Sequence, residues 1–197
     1  MKVIGMCGGS GSGKGLACSY FNELGIRVID TDRVYHSLTS SFTDCLREIS
    51  DCFGDGIVKD GRLDRASLAN IVFSSKEKLD ALNAIAHKHI LSEVRKKIDI
   101  YRSKGERGVI IDAPVLFESG FDKECDAALV VYADVDVRVS RIMRRDGISR
   151  EKALLRIQSQ KSDAWLIARC DYSIENSGTP DELKRKVTEL AKKIFDI

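Results

Sequence analysis

The stretch Val3-Ile4-Gly5-Met6-Cys7-Gly8-Gly9-Ser10-Gly11-Ser12-Gly13-Lys14-Gly15 joins two kinds of structure through a third. Residues 3–7 are continuously apolar, the pattern of a strand buried on both faces. After the lysine, Leu16, Ala17, Tyr20, Phe21 and Leu24 recur at helical spacing. Between them lies G-x-x-x-x-G-K in the order strand, loop, helix. Glycines let successive backbone N–H groups turn inward around phosphate oxygens. The helix N-terminus adds partial positive charge, and Lys14 can reach the outer phosphates of a nucleotide. A plain Gly/Ser turn before a helix is the competing reading. The complete spacing in its complete context favours a nucleotide, with Gly8, Gly9, Gly11, Ser12, Gly13, Lys14, Gly15 and Leu16 around it.

One position departs from the pattern. A Ser or Thr hydroxyl normally follows the lysine and binds Mg²⁺. Here the residue is Gly15. It offers no oxygen and costs about 1 kcal/mol in a helix relative to alanine.

Outward from this motif, residues 27–30, 108–112 and 127–132 form further apolar runs, and 172–174 a weaker one. Helical patterns separate them, including 181–195, where Leu183, Val187, Leu190, Ala191 and Ile194 share a face. Alternation of this kind predicts an α/β fold, a parallel five-stranded sheet flanked by helices. Residues 33–107 break the alternation. They read as helices over 43–52, 64–73, 75–86 and 90–101, a helical insertion. Residues 138–169 form a second, charged helical segment. The expected division is a nucleotide-binding core of 1–32, 108–137 and 170–197, the insertion 33–107, and a helical lid 138–169.

Bulk composition narrows the function classes. The 197 residues carry 32 Lys+Arg against 30 Asp+Glu, so no global basic field argues for nucleic acid. Hydrophobic residues make up 43% of the chain, enough for a core that needs no disulfide staples. Six cysteines, none in a C-x-x-C pair, read as reduced thiols, several of them core filler. No apolar run approaches the ~20 residues of a membrane span, and the first residues lack the pattern of a secretion signal. The expectation is a cytoplasmic protein with no membrane and no nucleic-acid partner.

Three carboxylates fall at or after strand ends: Asp30, Asp32 and Asp112. In open α/β sheets, ligands bind beyond the carboxyl ends of strands. Transfer of a phosphoryl group to a hydroxyl needs one carboxylate to orient that hydroxyl and accept its proton, and another near Mg²⁺. Asp112 suits the second task, directly or through water. Asp30 reads equally well as a helix N-cap. Arg138, Arg141 and Arg145 recur at i, i+3, i+7 with Arg144 beside them, either a solvated helix face or a clamp on a transferring phosphoryl group. With a phosphate loop in hand the clamp is favoured. Phe53, Phe73, Phe117 and Phe121 read as core. His87 and His89 read as a pair near a helix start, with no third ligand for a metal.

Taken together, the residues resemble the dephospho-coenzyme A kinases over nearly the whole chain. The phosphate loop fits that family's G-G-x-G-S-G-K. Val28-Ile29-Asp30-Thr31-Asp32 resembles its I-D-A-D. Phe53-Gly54, Asp60-Gly61-Arg62-Leu63-Asp64-Arg65, Leu68 and Phe73 resemble its F-G…D-G-x-L-D-R-x-x-L…F. Leu82-Asn83-Ala84-Ile85-Ala86-His87 resembles L-N-x-I-x-H, and Asp112-Ala113-Pro114-Val115-Leu116-Phe117-Glu118 resembles D-x-P-L-L-F-E. Arg141…Arg145-Asp146, Gln160, and Asp171…Asn176-Ser177-Gly178 complete the likeness. Departures are Gly15 for Ser/Thr, Lys88 for a proline after the histidine, Val115 for leucine and Cys170 for alanine. The resemblance implies a P-loop kinase fold, ATP and Mg²⁺ as cofactors, and dephospho-coenzyme A as substrate, phosphorylated on its ribose 3′-hydroxyl. It implies Asp32 as base, with Lys14, Arg141 and Arg145 as catalytic electrostatic groups. Asp32, His87, Leu116 and Glu118 would meet substrate, and Asn176 and Gly178 would lie near adenine. Two rivals remain at this point: a nucleoside or nucleotide kinase of the same fold, and a weakly catalytic nucleotide-binding protein, which Gly15 alone supports.

Overall fold

A computed structural model describes residues 1–197. The chain divides into two compact units, one of Met1–Ile29 with Ile100–Ile197, the other of Asp30–Asp99.

The first unit is built on a five-stranded parallel sheet in the order β2-β5-β1-β6-β7. Its strands are β1 (Lys2–Cys7), β2 (Arg27–Asp30), β5 (Gly108–Asp112), β6 (Ala127–Tyr132) and β7 (Tyr172–Glu175). The continuous apolar runs explain the placement, because β1, β5 and β6 lie inside the sheet and are buried on both faces. Register sets Met6 beside both Asp112 and Leu129, so the phosphate loop leaves the sheet between those two neighbours. Helices α1 (Lys14–Glu23) and α9 (Pro180–Phe195) share one hydrophobic cluster with the sheet. Phe21, Ile110, Leu129, Val187 and Ile194 are in it. Helix α9 starts cleanly because Thr179 and Glu182 form a reciprocal capping box with Pro180 inside it. Helices α6 (Val135–Asp146), α7 (Arg150–Gln158) and α8 (Asp163–Ile167) occupy the charged segment. A small cluster of Val139, Ile142 and Ala153 joins α6 to α7.

The second unit holds α2 (Thr31–Thr39), α3 (Asp44–Phe53), α4 (Arg65–Val72) and most of α5 (Lys76–Ser103) around Cys45, Ile49, Ile57, Leu68 and Val72. Two readings from sequence fail here. The stretch read as helices 75–86 and 90–101 is one helix, Lys76–Ser103, and His87 and His89 lie in its middle rather than near a start. The backbone N–H of Lys88 lets the i→i−4 ladder continue where a proline would interrupt it. The sequence reading, helices with 53–63 left between them, also missed a short hairpin, β3 (Val58–Lys59) with β4 (Arg62–Leu63). Asp60 and Gly61, at φ 50° and 73°, form the two-residue turn with both residues left-handed that such hairpins favour. Of the aromatics read as core, Phe121 is buried, but Phe73 is 80% exposed at the end of α4.

Candidate active site

The loop between β1 and α1 is held from outside by its carbonyls. Arg138 Nε donates to the Ser10 carbonyl at 2.9 Å, Arg141 Nη1 to the Gly11 carbonyl at 3.3 Å, and Asn176 Nδ2 to the Ser12 carbonyl at 2.7 Å. A trans peptide sets its N–H opposite its C=O. Turning these carbonyls toward the side chains therefore turns the N–H groups of Gly11 and Gly13 the other way, into the loop, while the Ser12 N–H closes a turn onto the Gly9 carbonyl at 3.1 Å. That is the arrangement of an anion nest. The first N–H groups of α1 have no partner within the helix and join it.

Two glycines are required by geometry. Gly11 sits at φ 79°, and a Cβ there would lie 2.7 Å from the Arg138 carbonyl. Gly13 sits at φ 89°, and a Cβ there would lie 2.1 Å from Asn176 Nδ2. Gly8 and Gly9 complete the bend. Ser12 is 1% exposed, and its hydroxyl is buried without a hydrogen-bond partner. An incoming phosphate oxygen would satisfy that group.

Lys14 opens α1 and pairs with Asp112 at the end of β5. Both side chains are nearly enclosed, at 15% and 12% exposure, so the pair is shielded from bulk water. Cys18, one turn along α1, donates its thiol to the other carboxylate oxygen at 3.4 Å. Gly15 is exposed, and a Cβ built on it would meet nothing within 4 Å. Open space therefore stands where a P-loop hydroxyl would be. These residues fit Mg²⁺ held by one carboxylate, nucleotide oxygens and waters, since Mg²⁺ keeps waters readily and no group of three or more metal-binding side chains is assembled.

Arg145 is exposed and engaged with Asp146 at 2.7 and 2.9 Å, while its Nη2 reaches the Ser10 hydroxyl at 3.5 Å. Arg145, with help from Arg156, holds the Asp146 carboxyl down at about 2. Arg138 was grouped with the clamp arginines, but it is 2% exposed and faces the back of the loop. At the loop's root, Cys7 and Cys170 lie 3.7 Å apart. The hydrogen bond to Cys170, together with burial, pushes the Cys7 thiol up.

Other expected site residues take varied places. Leu16 is 40% exposed on α1. Leu116 has no exposed surface and packs where Gly5 lacks a side chain, so in this conformation it is core rather than a substrate contact. Glu118 is exposed in the same loop, and Phe117 meets Trp165 edge to face at 5.7 Å. Asn176 is 3% exposed and spends its amide on the loop. Gly178 abuts Glu182 of the capping box. In the second unit, Asp30 caps α2 by accepting the Arg33 N–H at 2.9 Å. Asp32, in the first turn of α2, is exposed and makes no hydrogen bond or ion pair. His87 is half-buried, and burial lowers its pKa.

Three groups escaped sequence reasoning. Asp163 and Cys18 carried no signal, since each needs a partner remote in sequence. Asn176 was marked by the resemblance, but its role as a strut of the loop was not.

Residues 2–182 match the profile of a family described as Dephospho-CoA kinase. A protein named Dephospho-CoA kinase from Carboxydothermus hydrogenoformans is 35% identical over 98% of this chain and 94% of its own. One of the same name from Fusobacterium nucleatum is 38% identical over 98% and 99%. Among solved structures, a protein from Thermus thermophilus superposes with a TM-score of 0.81 at 30% identity, over 98% of this chain and 97% of its own.

Proposed function

Since the chain belongs to the dephospho-CoA kinase family, we propose that it transfers the γ-phosphoryl group of ATP to the ribose 3′-hydroxyl of dephospho-coenzyme A, releasing coenzyme A and ADP. The observation that carries this reading is the loop itself: the N–H groups of Gly11 and Gly13 turned inward by Arg138 and Asn176, with Lys14 at its mouth. Such a loop binds the β- and γ-phosphates and little else.

The roles divide as follows. The loop and the start of α1 hold the phosphates through backbone N–H groups. Lys14 exchanges Asp112 for the outer phosphates and balances the charge that spreads over the transferring group. Asp112, so released, would hold Mg²⁺, which when bound neutralises phosphate charge. Arg141 and Arg145 approach the loop from α6 and add positive charge as transfer proceeds. Asp32 accepts the proton of the ribose hydroxyl as its oxygen bonds to phosphorus and the bond to ADP breaks. Its free, exposed carboxylate supports that role. His87 and Glu118 contact the remainder of the acceptor, and Asn176-Ser177-Gly178 lie near adenine.

The test is ADP release measured with and without dephospho-coenzyme A, against a panel of nucleosides and nucleotides. Release that depends on dephospho-coenzyme A is expected. Equal or better release with another acceptor would overturn the substrate assignment, and ATP binding without release would overturn the catalytic one.

A further inference from the structure

We propose that Arg138, on α6, is a positioning residue for the phosphate loop, clamping it in its anion-binding shape by tying it to the α7–α8 segment. The proposal rests on reading that loop as the nucleotide site. Arg138 is 2% exposed, and few chains bury a full charge so deeply without purpose. Its guanidinium spends every edge. Nε donates to the Ser10 carbonyl at 2.9 Å. Nη1 donates to both carboxylate oxygens of Asp163, each at 3.0 Å. Nη2 reaches Gln160 Oε1 at 3.4 Å. That same Gln160 oxygen accepts the Ser10 N–H at 2.8 Å. Both backbone polar groups of Ser10 are thus tied, one to Arg138 and one to a residue that Arg138 holds.

The packing is as tight as the bonding. A Cβ at Gly9 would lie 2.2 Å from Arg138 Nη2, and one at Gly11 would lie 2.7 Å from the Arg138 carbonyl. The loop therefore rests directly on this residue, through its side chain at one glycine and its backbone at the next. Arg138 touches the back of the loop, so it acts on nucleotide through the loop's shape. Asp163 begins α8 and Gln160 follows α7. The charged helical segment and the loop are consequently joined at one side chain. Only a planar fork with five donors can serve these acceptors together, and lysine has the charge without the fork.

Arg138→Gln, Arg138→Lys and Gln160→Ala separate positioning from mere stability. Binding of a non-hydrolysable ATP analogue is measured by calorimetry, alongside turnover and melting temperature. The two Arg138 variants should bind the analogue about 10- to 100-fold more weakly, while KM for dephospho-coenzyme A moves less than about twofold. Gln160 is exposed, so Gln160→Ala will fold even if an Arg138 variant does not. It should weaken analogue binding several-fold with little change in melting temperature. Unchanged analogue affinity in folded variants, with only a lower melting temperature, would reduce Arg138 to a structural ion pair and overturn the proposal. So would an equal rise in both KM values. A wild-type protein that binds the analogue but never turns over would count against the kinase reading alone, and the affinity comparison would still decide this one.

Discussion

Lys14 and Gly15 stand side by side at the start of α1, and they test the site in opposite directions. Lys14 is an enclosed cation whose carboxylate partner is ready to be exchanged for phosphate. Lys14→Ala should lower turnover by at least about 10²-fold, the scale of losing one preorganised charge donor. It should also cost some stability, because the nearly enclosed Asp112 carboxylate then loses its cation. Turnover within a few-fold of wild type would sink the phosphate-loop reading. At Gly15 the backbone is ordinary and a Cβ meets open space, so Gly15→Ser introduces no strain. The hydroxyl it adds should lower the Mg²⁺ concentration for half-maximal rate, and the loss of a helical glycine should stabilise by up to about 1 kcal/mol. An unchanged Mg²⁺ requirement would mean that the ion already has another direct ligand. Asp32→Asn should reduce kcat by about 10²–10⁴-fold with little change in KM for ATP, since the carboxylate acts on the acceptor. If steady-state kinetics show a loss of only a few-fold, the base lies elsewhere.

At the scale of elements, strands were more legible than helix breaks. Continuous apolar runs located the five strands of the sheet to within a residue, most cleanly β1, β5 and β6, where burial on both faces leaves no room for alternation. Helix α5 was misread as two because the polar stretch around His87-Lys88-His89 looked like an interruption. Polarity does not end a helix; a missing N–H does. In the structure Lys88 pairs with Glu48 of α3 at 2.5 Å, and His89 meets the same carboxylate at 2.7 Å. The polar stretch is thus a docking face, not a loop. Lys88→Pro should cost about 3 kcal/mol in thermal or urea unfolding and reduce helical circular dichroism. A loss below about 1 kcal/mol would show that α5 already bends freely at that point. The hairpin of β3 and β4 was missed for a different reason. Each strand has two residues, too few for any periodicity, and only Asp60-Gly61 announced it.

At the scale of the molecule, the first unit is closed by contacts between its far ends. Phe195, in the last turn of α9, packs edge to face on Phe21 of α1 with centroids 6.4 Å apart. It also covers Gly108 at the start of β5, where a Cβ would come within 2.2 Å of its ring. Residues from α1, β5 and α9 are thereby gathered under one ring that is 6% exposed. Phe195→Ala should destabilise the protein by about 3–5 kcal/mol. Urea unfolding would measure it, and in the variant that remains folded KM for ATP should hold, because the ring is remote from the loop in both sequence and bonding. A cost under about 1 kcal/mol would mean that the last turn of α9 frays and does not close the core.

What the sequence by itself determined about this protein was the chemistry that needs only neighbours in the chain. Strand, glycine loop and lysine are consecutive, so the phosphate site, the α/β class and the family likeness could all be read from residues a few positions apart. The carboxylates Asp32 and Asp112 could be marked because strand ends are visible as ends of apolar runs. The tertiary structure decided everything that joins distant residues. Arg138 looked like one more arginine of a clamp until folding set Asp163, Gln160 and Ser10 around it. Leu116 belonged to a family motif, yet Gly5 on β1 gave it a place in the core. Asn176 became a strut because β7 ends beside the loop. In each case the residue's own chemistry was legible, but its role was set by which partner burial and topology brought within about 3 Å, the reach of a hydrogen bond.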